Sequence, residues 1–290
     1  MSISSRIEDA LRDVLFKADD AVAPPRLREA LRYAVFPGGA RVRPRLCLAV
    51  AHACGDSATT VAHTAAASIE LLHCASLVHD DLPCFDDADV RRNKPAVHRV
   101  YGEALSVLVG DALIVMAFEN LTRIAASRHP ERLAPILTLL GRAAGSPFGL
   151  VAGQAWESEP DPQLEAYHRA KTGSLFTAAA ACGAASAGAP SMDWTMFGER
   201  LGAAYQVADD LRDAAADPEE IGKPTLRDAA LLRPSAVASL GLSGALRRFR
   251  SLIQDVLDAI PDCPGADGLK ELVSVESKRL VPKALAQSAA

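Results

Sequence analysis

The sequence lacks the features that define several large protein classes. Its 290 residues include 5% aromatic residues, and its six cysteines form no Cys-x-x-Cys pair. No stretch offers about eighteen apolar residues free of charge, so no membrane span is predicted. Residues 1–16 carry charges and no long apolar segment, which argues against a secretory signal. Cysteines in apolar contexts without metal-ligand spacing predict reduced thiols and a cytoplasmic protein.

Several common binding and catalytic motifs are missing as well. The chain has no Walker loop, no kinase signature and no Gly-x-Gly-x-x-Gly turn. It also shows no local signature of a Ser-His-Asp or Cys-His nucleophile. Its net charge of -5 argues against a nucleic-acid surface, so no nucleic-acid partner is predicted.

What the sequence does contain is a helix-forming composition with 49% hydrophobic residues, enough for a sizeable core. Apolar residues recur with the helical period from end to end, and strand alternation is nearly absent. No biased linker divides the chain, so the pattern predicts one all-α domain over residues 1–290. The predicted helices cover residues 4–20, 25–36, 42–53, 58–81, 101–125, 130–143, 147–157, 161–187, 192–214, 226–231, 242–259 and 266–286.

A first acidic cluster follows the most apolar of these helices. The stretch HDDLPCFDDADVRR, residues 79–92, holds aspartates at positions 80, 81, 86, 87 and 89. His73, Ser76 and Asp80 share one face of the preceding helix, and Pro83 is expected to end that helix. Because like charges repel, acids gathered at the end of a buried helix predict bound metal ions.

A second acidic cluster lies in LGAAYQVADDLRDAAAD, residues 201–217. Asp209 and Asp213 are four residues apart and share a helix face with Gln206, while Asp210 is adjacent. One such cluster alone is usually a solvated helix face. Two clusters that end apolar helices predict carboxylates on opposing walls of one cavity, and oxygen ligands of this kind suit Mg²⁺.

Cations accompany both clusters and predict an anionic ligand that also touches the metals. They are Arg41 and Arg43 after a Gly-Gly break, Arg91 and Arg92, Lys171, and Lys223 with Arg227 and Arg233 beyond it. Arginine binds phosphate oxygens in pairs, and lysine acts as a point charge. A metal-bound diphosphate, an apolar cavity and no protein nucleophile together fit the ionisation of an allylic diphosphate.

With these motifs the chain resembles the trans-isoprenyl diphosphate synthases, and among them the bacterial geranylgeranyl diphosphate synthases of carotenoid and bacteriochlorophyll pathways. FPGGARVRP, ELLHCASLVHDD, GDAL, AGQAWESE, KTGSLF and GKPTLRDA follow the family order. The resemblance implies a single-domain antiparallel helix bundle around a central cavity, the isoprenoid synthase type I fold, as a homodimer. It implies about three Mg²⁺ ions, replaceable by Mn²⁺, and condensation of isopentenyl diphosphate with dimethylallyl, geranyl or farnesyl diphosphate.

The resemblance also assigns roles to residues. Metal ligands are expected at Asp80, Asp81, Asp86, Asp209, Asp210 and Asp213. The allylic diphosphate is expected on Arg91, Lys171, Gln206 and Lys223, with Thr172 near the carbocation. The second diphosphate is expected on Arg43, His73 and Arg92, with Arg41 assisting. The released diphosphate would take the final proton, which agrees with the absence of an obvious protein base.

The chain departs from the family pattern at four positions. Ala40 stands where a diphosphate-binding lysine is usual, so another cation would have to compensate. Asn93 replaces a usual glycine, but asparagine tolerates left-handed backbone geometry. Arg233 is the nearest replacement for a second lysine downstream of Lys223, and Ala88 interrupts a stretch that is often wholly acidic.

Product length in the family depends on bulk just before the first aspartates. Ala75 and Ser76 are small, which favours the twenty-carbon geranylgeranyl product, while the fifteen-carbon farnesyl product is the competing interpretation. Three protein classes outside the active prenyl synthases also compete. A non-catalytic regulatory subunit typically loses one aspartate motif or the arginine pair, and a class I terpene cyclase has a different second metal motif. A simple metal-binding helical protein would need none of the cations.

Overall fold

The computed structural model describes residues 3–16, 22–36, 38–56, 59–161, 163–215 and 235–282. Within these ranges nearly all regular structure is helical, which confirms the all-α prediction. The α-helices are α1 (Ile3–Leu15), α2 (Pro25–Val35), α3 (Val42–Ala53), α4 (Thr59–Asp80), α5 (Val97–Tyr101), α6 (Glu103–Ala125), α7 (Leu133–Ala144), α8 (Leu150–Ala155), α9 (Leu164–His168), α10 (Ser174–Ala187), α11 (Thr195–Ala215), α12 (Ala236–Asp258) and α13 (Ala266–Leu280).

Shorter elements connect these helices. In the part of the chain that the structure describes, 3₁₀ turns cover Pro130–Arg132, Trp156–Ser158 and Ser191–Trp194. A π-helical turn, Arg169–Gly173, joins α9 to α10. Two short antiparallel strands, β1 (Val90–Arg91) and β2 (Lys94–Pro95), follow the first acidic cluster.

Helix α4 is the centre of the bundle, as its apolar composition predicted. It packs against α1, α3, α6 and α10, and most of its side chains are buried. Buried polar groups fix its register on α6, because the Asn120 amide donates hydrogen bonds to the Thr64 carbonyl (3.0 Å) and the Ser68 hydroxyl (3.1 Å). A rigid α4 therefore delivers its last residue, Asp80, at a defined point.

The boundaries differ from the prediction where glycine or a side-chain cap decides them. The predicted helix 101–125 is split into α5 and α6 by Gly102, which has a φ of 87°. Helix α12 starts at Ala236, where the Ser235 hydroxyl accepts a hydrogen bond from the Ala238 amide, but Gly241 (φ 67°) interrupts it, so its second part begins at the predicted residue 242. The first helix ends at Leu15, and residues 17–20 of the predicted helix lie outside the described residues. The predicted helix 226–231 lies outside the described residues.

The predicted continuous helix 161–187 is interrupted by the π-helical turn. Periodicity averages over a single inserted residue, so the sequence pattern did not reveal it. Close backbone packing surrounds this turn. A Cβ on Gly202 of α11 would lie 2.8 Å from the Gly173 Cα, and a Cβ on Gly153 of α8 would overlap the Lys171 backbone. The glycines therefore allow α8 and α11 to approach the turn.

The β1–β2 hairpin was not predicted. Its two loop residues, Arg92 and Asn93, have φ values of 54° and 62°, the geometry of the two-residue turn that suits hairpin twist. The expectation that Asn93 tolerates left-handed geometry is confirmed. The turn sends the Arg91 and Arg92 side chains to different partners, namely Asp81 and Glu70.

Among the described residues, α4 and α6 are long and apolar enough to cross a membrane by length and composition alone. For α4, 78% of the apolar stretch is buried inside the protein, and for α6 the share is 39%. The absence of a membrane span stays a prediction, and the outward apolar side of α6 needs a separate explanation.

Candidate active site

A cavity of about 520 Å³ lies between α4, α6, α8, the π-helical turn and α11. One part of its wall is charged and the other part is apolar. The charged and polar part includes Arg43, His73, Asp80, Asp86, Arg91, Lys171, Thr172, Gln206, Asp209, Asp210 and Asp213. The apolar part includes Leu72, Ala75, Ile114, Ala144, Leu150 and Val151. This division suits a ligand with an anionic head and a hydrocarbon tail.

Three carboxylates converge on the first wall. Single ligand oxygens of Asp80, Asp86 and Glu157 all lie within 4.8 Å of one another, the distance range of a shared metal ion. The loop turns back so that the Asp86 amide donates to the Asp80 carbonyl (2.9 Å). The Lys171 ammonium donates to Asp80 (2.9 Å) and Glu157 (2.6 Å), so one cation now offsets part of this negative charge. Hard oxygen donors so arranged fit Mg²⁺.

Glu157 was missed as a site residue by the sequence reasoning. It follows α8 in the 3₁₀ turn, and its carboxylate accepts hydrogen bonds from Gln154 (3.1 Å) and the Tyr167 hydroxyl (2.6 Å). The motif AGQAWESE contained a signal for it. Glu157 follows an otherwise apolar helix, as the aspartates of the two acidic clusters do. Its nearness to Asp80 depends on how α8 packs, which the motif does not reveal.

Asp81 does not line the cavity, although it is adjacent to Asp80. The residue is 2% exposed, and its carboxylate accepts hydrogen bonds from Arg91, one of them at 2.9 Å from Nε. Burial raises the pKa of Asp81, and the hydrogen bond from Arg91 opposes that rise. The pair holds the Arg91 guanidinium 3.7 Å from Asp80. Asp81 therefore orients an arginine at the cavity wall.

The second wall is formed by α11, which presents Gln206, Asp209 and Asp213 to the same cavity. Thr172 donates a hydrogen bond to the Gln206 oxygen (2.8 Å), and the Gln206 amide donates to Asp210 (3.0 Å). The other Asp210 oxygen accepts from the Ala236 amide at the start of α12 (2.7 Å). Burial raises the pKa of Asp210, and these donors lower it. Asp210 thus links the site to α12.

Arg43 and His73 lie beside the acidic walls. The Arg43 guanidinium is 3.4 Å from the His73 Nε2 and stacks 4.7 Å from the Phe176 ring centroid. Burial lowers the pKa of His73 well below its ordinary value, and Arg43 lowers it further. His73 is therefore neutral at pH 7 and accepts a hydrogen bond from Arg43, which stays charged.

Arg41 and Arg92 are placed differently from Arg43. Arg41 has a left-handed backbone with φ 50°, and its guanidinium donates to Glu70 (2.7 Å), Glu8 (2.8 Å) and the Val35 carbonyl (2.8 Å). It does not line the cavity, so the structure gives no support to its assisting role. Arg92 lies 4.0 Å from Glu70 and passes over Gly39, where an added Cβ would lie 3.0 Å from its Nε.

The two positions expected to control product length line the cavity. Ala75 is buried, and Ser76 donates its hydroxyl to the His73 carbonyl (2.9 Å), which keeps that hydroxyl on its own helix. Both side chains are small, so they leave space between the charged part and the apolar part of the cavity wall. Lys223, with Arg227 and Arg233, lies outside the described residues.

Comparisons with known proteins agree with this architecture. A family model described as polyprenyl synthetase matches residues 24–265. A geranylgeranyl diphosphate synthase of Cereibacter sphaeroides is 49% identical over 99% of both chains, and one of Rhodobacter capsulatus is 46% identical over 97% of both. The crystal structure of a Helicobacter pylori geranyltransferase, complexed with magnesium and isoprenyl diphosphate, aligns with a TM-score of 0.80 and 31% identity, covering 94% of this chain and 95% of that one. With the family model and these relatives spanning most of its length, the chain belongs to the polyprenyl synthetase family.

Proposed function

We propose that the protein is a geranylgeranyl diphosphate synthase. It is a prenyltransferase that joins isopentenyl diphosphate head-to-tail to an allylic diphosphate and releases diphosphate. The observation that carries the proposal is the single cavity in which opposed carboxylates and cations meet an apolar chamber with small residues at its entrance. A regulatory subunit would not need both acidic walls.

The proposed metal ligands are Asp80, Asp86 and Glu157 on one wall, and Asp209 with Asp213 on the other. Mg²⁺ held there would neutralise the diphosphate as it leaves, and Mn²⁺ could take its place. We leave Asp81 out of this set because it is buried against Arg91 and does not line the cavity, and Asp210 because Gln206 and the Ala236 amide occupy both of its oxygens.

The cations are proposed to divide between two diphosphates. Lys171, Arg91 and Gln206 stand at the mouth beside Asp80 and Asp209 and would hold the allylic diphosphate. Lys223 stays a prediction for the same group. Arg43, His73 and Arg92 would hold the diphosphate of isopentenyl diphosphate. Arg43 and His73 line the cavity, and Arg92 lies outside its lining, 4.0 Å from Glu70.

The chamber below the mouth is proposed to shelter the carbocation and its growing tail. The Thr172 hydroxyl donates a hydrogen bond to Gln206, so it points toward the charged part of the cavity wall. The apolar wall excludes water, which would otherwise quench the cation. Small side chains at Ala75 and Ser76 leave room for a tail of twenty carbons, with farnesyl diphosphate as the alternative product.

A homodimer is proposed from the outward side of α6. Leu108 and Val115 are 54% and 64% exposed, and they lie seven residues apart on one face. A second copy of the chain would cover this face, since large apolar patches are rarely left in water. Val115→Glu should give a monomer in analytical ultracentrifugation, whereas Leu272→Glu on α13 should not. A monomeric wild-type protein would refute the dimer.

A cytoplasmic location is also part of the proposal, because all six cysteines are free thiols. The expected downstream use of the product is carotenoid or bacteriochlorophyll synthesis, by likeness to the bacterial relatives.

The direct test is a product assay with Mg²⁺, isopentenyl diphosphate and each allylic primer in turn. Geranylgeraniol after dephosphorylation, lost on adding EDTA, is the expected result. The double variant Asp80→Ala/Asp209→Ala should be inactive, while Asp89→Ala, on an exposed acid of the same loop, should remain active. Intact turnover in the double variant would refute the metal–diphosphate mechanism.

Ser76→Phe should shorten the product, and farnesol from the wild type would refute the twenty-carbon assignment alone.

A further inference from the structure

Arg212 is a cation of the second acidic cluster that the proposed function does not use. It lies three residues after Asp209 on α11, and its Nη2 donates to the Asp209 Oδ1 at 2.9 Å. Its guanidinium carbon is 5.3 Å from the centroid of the Tyr205 ring. Its Nε is buried and has no hydrogen-bond partner among the described residues. The Arg43 Nε is likewise buried without a hydrogen-bond partner among the described residues, so each of the two guanidiniums keeps a donor that a further acceptor would satisfy.

Tyr205 brings Arg212 and Arg43 into one neighbourhood. The Arg43 guanidinium lies 5.9 Å from the same ring centroid, and the Phe176 and Tyr205 rings are 4.9 Å apart. The two guanidiniums can be no farther apart than the sum of their distances to the ring. One diphosphate can bridge such a gap, because each guanidinium needs to reach only one of its phosphoryl groups.

The second diphosphate site is short of positive charge without Arg212. Position 40 holds alanine, Arg41 is committed to Glu8 and Glu70, and His73 is neutral. Of the residues expected there, Arg43 is the charged one that lines the cavity, and Arg92 lies outside the lining beside Glu70. Because burying an unpaired charge is costly, a further cation at this site would stabilise a bound diphosphate.

We propose that Arg212 binds the diphosphate of isopentenyl diphosphate together with Arg43 and supplies the charge that Ala40 does not. This inference rests on the proposed function of the cavity, which Arg212 borders through Asp209 without lining it itself. In the structure Asp209 accepts a hydrogen bond from Arg212. When Asp209 serves the metal site, the Arg212 donors are available to the diphosphate, and its partnerless Nε gains an acceptor.

The test combines kinetics with direct binding. Arg212→Leu should raise the KM for isopentenyl diphosphate about tenfold or more, equivalent to about 1.4 kcal/mol, and leave the KM of the allylic primer within twofold. Isopentenyl diphosphate alone cannot react, so calorimetry should show the same loss as a rise in Kd. Adding Ala40→Lys to Arg212→Leu should recover most of the affinity. Arg142→Leu, on an exposed arginine of α7, is the control and should change neither value.

Further outcomes separate the ways in which the proposal can fail. A higher Mg²⁺ requirement with unchanged affinity for isopentenyl diphosphate would mean that Arg212 only positions Asp209, and it would overturn the proposal. If Arg212→Leu does not fold, Arg212→Gln removes the charge but keeps a donor for Asp209 and must show the same loss of affinity. An active wild type with an unaffected variant refutes this inference alone. A wild type that makes no prenyl product refutes the proposed function, and calorimetry then still decides whether Arg212 binds the diphosphate.

Discussion

Replacing Arg41 with methionine should strongly destabilise the protein, because Arg41 is the cation of a buried ionic cluster. Its side chain is 3% exposed, and that of Glu70 is 1% exposed, with 2.7 Å between the bonded Nη1 and Oε1. Glu8 and the Val35 carbonyl take two more of its donors. Methionine matches the length of the arginine stem but offers no donor, so the acceptors stay and the cation is lost.

The magnitude follows from what the substitution leaves behind. Glu70 would keep its charge in the core, and the nearest remaining cation, Arg92, is 4.0 Å away. Breaking a buried ion pair by removing one partner costs about 3–5 kcal/mol. The exposed pair Arg12–Asp9, also within hydrogen-bond distance at 3.1 Å, should by contrast contribute about 0–1 kcal/mol.

Urea unfolding at one fixed protein concentration is the assay. Arg41→Met should lower the free energy of unfolding by about 3–5 kcal/mol, and the control Arg12→Ala by no more than about 1 kcal/mol. Adding Glu70→Gln to Arg41→Met should recover part of the loss, because the second substitution removes the unpaired charge.

Two results would refute this reasoning. One is an Arg41→Met variant no less stable than Arg12→Ala. The other is a fully stable Arg41→Met variant with a raised KM for isopentenyl diphosphate, which would show that Arg41 is a diphosphate ligand and not the anchor between α1, α3 and α4.

Three further predictions concern the site and its packing. Glu157→Gln should raise the Mg²⁺ concentration needed for half-maximal activity, because it removes one of the three carboxylates whose oxygens lie within 4.8 Å of one another. The exposed control Glu165→Gln should leave the Mg²⁺ titration unchanged, and an unchanged titration for Glu157→Gln would contradict the prediction. Gly202→Ala should cost about 1–3 kcal/mol and reduce activity, since its Cβ would lie 2.8 Å from the backbone of the π-helical turn, whereas Gly268→Ala has no neighbour within 4 Å and should be neutral or stabilising in thermal unfolding. His73 should remain neutral in NMR titrations between about pH 8 and pH 6. Because its folded pKa is lowered, it contributes stability above about pH 6.5 that is lost as the pH falls, and His73→Gln should lose that contribution to the pH dependence.

Local spacing in the sequence anticipated which side chains share a helix face. Asp80 and Ser76 lie on one face of α4, Gln206, Asp209 and Asp213 lie on one face of α11, and the structure brings both faces to one cavity. Such inferences succeed because side-chain directions within a helix repeat every 3.6 residues whatever the helix packs against. The all-α class followed from the same periodicity.

Spacing could not decide which members of a motif face the cavity. Asp80 and Asp81 are neighbours in the chain, yet one meets Lys171 across the cavity and the other is buried against Arg91. Arg41 and Arg43 stand two residues apart in one motif, and a left-handed backbone at Arg41 separates their directions. In each pair the two residue types are identical, so composition offered no distinction.

The sequence by itself therefore determined the helices, the two acidic clusters and the kind of ligand that they suit. Tertiary structure alone decided that Glu157 joins Asp80 and Asp86, that Arg41 anchors the core, and that Arg43 of α3 meets the Tyr205 ring beside Arg212. The physical reason is that these contacts connect different helices, or a helix and a distant loop. Their geometry depends on how the helices pack, and packing is set by the whole core and not by any one motif.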